Sequence, residues 1–327
     1  MRFVLRRAGF FLVTLWAAVT LNFFLPRLMP GNPAVAMMAK FHGRVNGQAL
    51  VALETIFGVN TKQSLPSQYV HYLGDIFTGN WGTSLFFFPE SVSKVVGSAV
   101  FWTLGLFGVA TILAFALGTL TGIVAAWRRG GAFDSIAPPA LVVTSAIPYF
   151  WVGMMFILIF GLKLRWLPWN GGYNITDTPG WNAGYISDLL QHAILPGLAL
   201  VVTTIGTWTL TMRNNMVTTL AEDYVKMARA KGLKSSRIML NYAARNAILP
   251  NLTGFAMSLG FVVGGAILIE YVFNYPGVGY MLLQAVQNED YPLMQALFLL
   301  ITVAVLVAIL IADVATAIFD PRTRSAR

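Results

Sequence analysis

The stretch VVGSAVFWTLGLFGVATILAFALGTLTGIVAAW, residues 95–127, carries no charged side chain from end to end. A helix that crosses a bilayer needs about 20 mostly apolar residues. This run is longer than one crossing and too short for two. It reads as a single span with an interfacial piece at 95–101. Its apolar residues are continuous rather than alternating, which excludes the strand pattern of an outer-membrane barrel. Five further charge-free runs share its composition: residues 8–26, 135–162, 189–212, 246–269 and 291–312. Helices satisfy their own backbone hydrogen bonds in lipid. The expected fold class is therefore an all-α integral membrane protein, with six spans as the simplest count.

Composition agrees. Hydrophobic residues make up 57% of the 327 and charged residues 11%, where a soluble domain carries about 25% charged. A soluble, disordered or coiled-coil protein is excluded. Cysteine is absent, which removes disulfides, thiolate nucleophiles and Cys-ligated metals. The net charge of +9 is accounted for by topology. Arg2, Arg6 and Arg7, then Arg128 and Arg129, then Arg213, Lys226, Arg229, Lys231, Lys234, Arg237 and Arg245, and finally Arg322, Arg324 and Arg327 all fall on one side of a six-span layout. Opposite them lie Arg27, Lys40, Arg44, Lys62 and Lys94, in or beside one long loop that counts little in the positive-inside rule, with Lys163 and Arg165. Both termini are expected to be cytoplasmic, and no nucleic-acid partner is implied. A signal-peptide reading of the start, with Arg6, Arg7 and the Ala34-Val35-Ala36 triplet, competes with a retained first span. The apolar run is longer than an h-region, so the retained helix is preferred.

The connections differ in weight. Residues 27–94 carry turn signals at Pro30-Gly31-Asn32-Pro33, Gly58, Pro66 and Gly79-Asn80. Residues 49–57 suit a small helix, and residues 68–77 another with Tyr69, Tyr72, Leu73 and Ile76 on one face. A structureless loop of this length is unusual, so an external cap is expected. Residues 163–188 are rich in Trp, Gly and Asn; interfacial Trp is ordinary in membrane proteins. The segment 213–245 is basic and amphipathic. Asp223 can cap a helix over residues 224–231, and Gly232 can end it in the left-handed conformation. That helix has about two turns and is ~12 Å long. A second piece is expected over 236–245, with Pro250 opening the fifth span.

Glu222-Asp223-Tyr224-Val225-Lys226-Met227-Ala228-Arg229-Ala230-Lys231-Gly232-Leu233, followed by Ala244-Arg245-Asn246-Ala247-Ile248-Leu249-Pro250, resembles the cytoplasmic "EAA" loop of ABC-transporter importer permeases. Four further stretches, in the same order along the chain, look like that family's dipeptide, oligopeptide and nickel uptake branch. They are Leu28-Met29-Pro30-Gly31-Asn32-Pro33, then Tyr69 to Ser84 with Gly79-Asn80-Trp81-Gly82-Thr83-Ser84, then Ile269-Glu270-Tyr271-Val272-Phe273 with Tyr275-Pro276-Gly277-Val278-Gly279, and Asp320-Pro321-Arg322. The general loop has an acid where this chain has Lys226 and alanine where it has Met227; Ala228 and Gly232 match. A basic residue at that place is common in the peptide branch.

The resemblance implies a six-span permease of the type I importer kind, sited in a bacterial or archaeal cell membrane, and not an enzyme. Residues 1–29 would form the cytoplasmic N-terminus and first span, 30–94 an external cap, and 95–327 a five-span core with a coupling loop at 213–249. Two homologous permeases form the pore. Two cytoplasmic ATPases bind ATP and Mg, and an external binding protein delivers substrate; the permease chain holds no cofactor. Glu222, Asp223, Tyr224, Lys226, Ala228, Arg229, Ala230, Lys231 and Gly232 would meet the ATPase. Peptide is the default substrate, with oligosaccharides and nickel chelates as alternatives.

The chain contains no Gly-Lys dipeptide, hence no Walker A loop, and no His-Glu-x-x-His motif; His42, His71 and His192 are its only histidines. Among polar residues in the runs are Asn22, Thr103, Thr144 and Ser145. The cluster from Thr203 to Thr211 supplies candidate pore-lining residues Thr203, Thr204, Thr207 and Thr211, with Ser258 from the next run. Hydrogen bonding between helices is the alternative role. Pro148 predicts a kink in the third span. The runs carry few ionisable groups, with Glu270 and Asp313 near their ends, which weighs against a proton-coupled secondary carrier. A membrane enzyme would need convergent groups, whereas Asp75, Glu90, Asp177, Asp188, Glu289 and Asp290 are scattered along the chain.

Overall fold

Apolar runs of this length bury their backbone polar groups by coiling, and the chain is helical almost throughout what is described. The structure, a computed structural model, describes residues 2–28, 64–264 and 267–319. The helices are α1 (Arg2–Leu28), α2 (Leu65–Thr78), α3 (Val92–Trp127), α4 (Ala132–Ser145), α5 (Tyr149–Lys163), α6 (Ala183–Leu220), α7 (Asp223–Ala230), α8 (Ser235–Gly264), α9 (Ile267–Val272), α10 (Val278–Gln287) and α11 (Tyr291–Phe319). The expected helix at 49–57, the Pro30–Pro33 turn and the 320–322 ending lie outside the described residues.

By length and composition, α3, α6, α8 and α11 can each cross a membrane. A fifth crossing is reached if α4 and α5 count as one broken span. The apolar part of α1, Gly9–Leu25, is shorter. The described residues thus give four or five crossings by this measure, and the count of six stands as an expectation. Pro148 does more than kink the third run. It is the N-cap of α5, and the two helices it separates meet at 95°.

The chain divides into two compact units. The first holds residues 1–103, 263–271 and 276–307. Its core joins Val92, Val95 and Ala99 of α3 to Val278, Met281, Leu282 and Ala285 of α10 and to Leu293, Met294 and Leu297 of α11. The spacing on α10 is that of a helix with one buried face. In the same unit α1 is stapled to α2. Thr20 and Tyr69 share a hydrogen bond of 2.7 Å, and the Asn22 amide donates to the Tyr72 hydroxyl at 3.0 Å and to the Gln295 carbonyl at 2.7 Å. Tyr69, Tyr72, Leu73 and Ile76 do share the inward face of α2.

The second unit holds residues 104–262, 272–275 and 308–327. Close approach of helices decides its packing. Gly206 of α6 sits against α4, where an added Cβ would lie 2.1 Å from the Leu141 carbonyl oxygen. Thr144 donates across the same contact to the Val202 carbonyl at 3.0 Å. Small residues let helix backbones approach in this way when lipid offers no hydrophobic drive. One boundary expectation is overturned. The piece expected at 236–245 is no separate helix: α8 runs unbroken from Ser235 to Gly264, through a π-helical stretch at Ile238–Ala244. Pro250 consequently lies inside α8, on its exposed side, rather than at its start. The charged first turns and the apolar span are one helix because Ala243, Ala244 and Ala247 bury continuously against Ile123, Met212 and Met216.

Candidate functional site

The segment between α6 and α8 is the most elaborated polar feature of the second unit. Its helix, α7, starts with Glu222 in the extended N-cap conformation, with no side-chain cap bond. The expected cap, Asp223, instead sits in the first turn, where its carboxylate accepts a 2.9 Å hydrogen bond from the Lys226 ammonium. That contact holds the Asp223 carboxyl below the usual carboxylate range. The other end behaves as the sequence predicts. Gly232 has φ +70°, its N–H donates to the Arg229 carbonyl at 2.9 Å, and the Leu233 N–H donates to the Ala228 carbonyl at 3.4 Å. This is the paired Schellman closure that needs a residue tolerant of the left-handed region.

The inner face of α7 is anchored. Val225 and Ala228 are buried with Ile238, and Trp127, Leu220, Leu233 and Tyr242 pack around them. The Asn246 amide donates to the Tyr224 hydroxyl at 2.8 Å. The ends of α3 and α6 and the start of α8 therefore hold α7. The outer face is bare: Asp223, Lys226, Met227 and Ala230, at helical spacing, are all exposed, Met227 by 60%. Glu222, Arg229 and Lys231 are exposed as well. Met227 thus stands exposed at the centre of a charged helical face.

One ion pair in this unit was not foreseen. Asp134, at the start of α4, is buried and receives Arg213 of α6 through both Nε and Nη2, the latter at 2.8 Å. The Gly130 N–H adds a third hydrogen bond at 3.0 Å. The available signal was that Asp134 is the lone acid between Lys94 and Lys163. Such a bidentate pair fixes orientation as well as distance.

The threonine cluster divides. Thr204, Thr207 and Thr211 lie exposed along one stripe of α6, continued by Asn214 and Thr218. Thr203 turns the other way, is buried, and donates to the Ala199 carbonyl at 2.8 Å. Ser258 is half-buried and donates to the Phe255 carbonyl at 2.8 Å.

The first unit corrects the expectation of scarce buried charge. Glu270 of α9 is fully buried. Its carboxylate accepts from the Thr103 hydroxyl at 2.7 Å, the Gly279 N–H at 2.7 Å and the Tyr280 N–H at 3.1 Å, while the Val278 N–H donates to Thr103 at 2.8 Å. The carboxylate thus caps α10. Gly277 is required beside it, since a Cβ there would collide with the carboxylate. Asp290 is also fully buried. It accepts from the Ser84 hydroxyl, the Phe86 N–H at 2.9 Å and the Leu293 N–H at 3.2 Å. It therefore caps α11 and holds the turn at residues 84–86. Burial is tolerated because free helix-end N–H groups supply the hydrogen bonds. Among the described residues no three His, Cys, Asp or Glu side chains cluster as metal ligands.

Several apolar helices of bilayer length, with a short amphipathic helix docked on their ends, define a multi-pass membrane protein. Residues 118–325 match the family described as "Binding-protein-dependent transport system inner membrane component", and the chain belongs to that family. It is 32% identical to the di/tripeptide transport system permease protein DppB of Pseudomonas aeruginosa, over 99% of each chain. It is 31% identical to the oligopeptide transport system permease protein AppB of Bacillus subtilis, over 98% of each. It is also 31% identical to the dipeptide transport system permease protein DppB of Escherichia coli, over 99% of each.

Proposed function

We propose that the chain is a membrane permease subunit of an ATP-driven, binding-protein-dependent importer of di- or oligopeptides. It supplies half of the translocation pore, and a second, homologous permease supplies the other half. Two cytoplasmic ATPases bind ATP and Mg, and an extracytoplasmic binding protein delivers the peptide. Both termini lie on the cytoplasmic side. The observation that carries this reading is α7: its inner face is fixed by Val225 and Ala228, and its outer face, Asp223, Lys226, Met227 and Ala230, is left open. A short helix braced by three long ones passes on a rigid-body push rather than absorbing it. ATP energy reaches the pore only through contacts that differ between two states, and the outer face of α7 is the surface placed to make them. The exposed Thr204, Thr207 and Thr211 stripe supplies hydroxyls toward the pore. Relatives named for peptide transport over nearly the full chain support the substrate class.

The test is uptake of labelled di- and oligopeptides by cells carrying or lacking this chain, with the other subunits present. Loss of ATP-dependent peptide uptake is expected. Intact peptide uptake with loss of nickel-chelate or oligosaccharide uptake would reassign the substrate. Uptake by the chain alone, without ATP, would replace this reading with a secondary carrier.

A further inference from the structure

Beside α7 lies a cavity of about 250 Å³ lined by Ala126, Trp127, Arg129, Val217, Leu220 and Arg229. Its apolar lining comes from the ends of α3 and α6, and Arg129 and Arg229 complete it. Among the described residues no acidic side chain lines it. The Asp134 carboxylate feels Arg129 electrostatically but is already engaged by Arg213 and the Gly130 N–H. Arg229 belongs to the flank of α7 turned toward α3, with its guanidinium carbon 5.9 Å from the Trp127 ring centroid. It does not share the outer stripe of Asp223, Lys226, Met227 and Ala230. We propose that this cavity binds the phosphate of an anionic phospholipid headgroup, held between Arg129 and Arg229, with its glycerol against Ala126 and Val217.

The position fits that ligand. Arg213 is the first charged residue after the apolar run of α6, and Val217 lies about 6 Å further along the helix at 1.5 Å per residue. A headgroup layer is about 5–8 Å thick. Trp127 marks the same level, as interfacial tryptophans do. Basic pockets between spanning helices on the cytoplasmic side suit anionic headgroups. The lipid would brace α7 from its inner flank, so the composition of the leaflet would tune how firmly the outer face is presented. The inference rests on α3 and α6 being membrane spans, as proposed above.

The experiment compares the intact assembly with an Arg129→Gln/Arg229→Gln variant and an Arg129→Lys/Arg229→Lys variant. Each is extracted in mild detergent with phosphatidylglycerol and phosphatidylcholine in equal amounts, and lipid retained on this chain is read by native mass spectrometry. The wild type is expected to retain phosphatidylglycerol preferentially. Each arginine removed should weaken retention about fivefold, and the pair about thirtyfold, with partial rescue by lysine. Equal retention by wild type and the glutamine variant overturns the proposal. So does release of the ATPase subunits from the glutamine variant in lipid-free detergent, which would assign the two arginines to an acidic side chain of the ATPase. Lipid retention is read on this chain, so a wild-type assembly that hydrolyses no ATP in any lipid would count against the importer reading and leave this readout intact.

Discussion

The carboxylates of Glu270 and Asp290 are withdrawn from solvent, whereas those of Glu222 and Asp223 face it. Both pairs sit at helix N-termini, so local chemistry alone does not separate them. What separates them is the company each keeps. Glu270 meets three donors from α3 and α10, and Asp290 meets donors from the 84–86 turn and α11. Each ties together segments distant in sequence. Asp223 meets one lysine on its own helix. The first pair holds the chain together; the second stands on an exposed face, the one proposed above to meet an ATPase. Buried polar groups earn their place by full satisfaction, and exposed ones by remaining available.

That contrast breaks first, and hardest, at Glu270. Glu270→Ala leaves the Thr103 hydroxyl and two backbone N–H groups buried without an acceptor. The expected loss is about 3–5 kcal/mol of stability, read as a collapse of folded yield or a large fall in the unfolding temperature in detergent. Glu270→Gln, which keeps an acceptor oxygen, should lose less. If Glu270→Ala unfolds like the wild type, the carboxylate is not a structural cap. Next comes Asp134→Ala, which strands the partly buried Arg213. With Arg213 one quarter exposed, solvent screens part of the loss, and about 2–3 kcal/mol is expected. Arg213→Ala with Asp134→Ala should recover part of the loss, since neither charge is then left alone. A double variant worse than either single one would argue against the pairing.

These two residues also mark how far the sequence could be read. The membrane class was legible because lipid forces long charge-free helices, and the α7 stop was legible because Gly232 at a left-handed position is a local signal. The inward face of α2 was legible for the same reason, as a periodicity of Tyr69, Tyr72, Leu73 and Ile76. What stayed hidden was every pairing across long sequence separation: Asp134 with Arg213, Ser84 with Asp290, Thr103 with Glu270. A charge count shows that Asp290 is acidic and not that the turn at 84–86 folds over it. The split of Thr203 from Thr204, Thr207 and Thr211 was hidden too, because which face of α6 is covered depends on α4 packing against Gly206. The broken third span was announced by Pro148, but its 95° angle was not.

On the open side of the comparison, Gly232→Ala places a Cβ at φ +70°. That should strain the α7 stop by about 1–2 kcal/mol. The chain should still fold. ATP-driven uptake should fall disproportionately, because the stop sets how α7 is presented. An equal fall in folded amount and in uptake would mean that Gly232 serves stability alone.

The smallest effects on stability are expected on the outer face, where function should suffer most. Met227→Asp touches no buried group, so stability should change by no more than about 0.5 kcal/mol. If Met227 anchors the contact with an ATPase, its loss should weaken that association by about thirtyfold, measured by co-purification and by substrate-stimulated ATP hydrolysis. Asp223→Asn tests the same face through pH. The Lys226 ammonium lowers the Asp223 carboxyl, so whatever the pair contributes is present above the ordinary carboxylate range and is lost only as pH falls through the lowered value. Coupling should therefore be flat around neutral pH in the wild type. It should fall at neutral pH in Asp223→Asn only if the charge itself meets the partner. Coupling unchanged by both substitutions would move the contact off this face and onto the flank of α7 that carries Arg229.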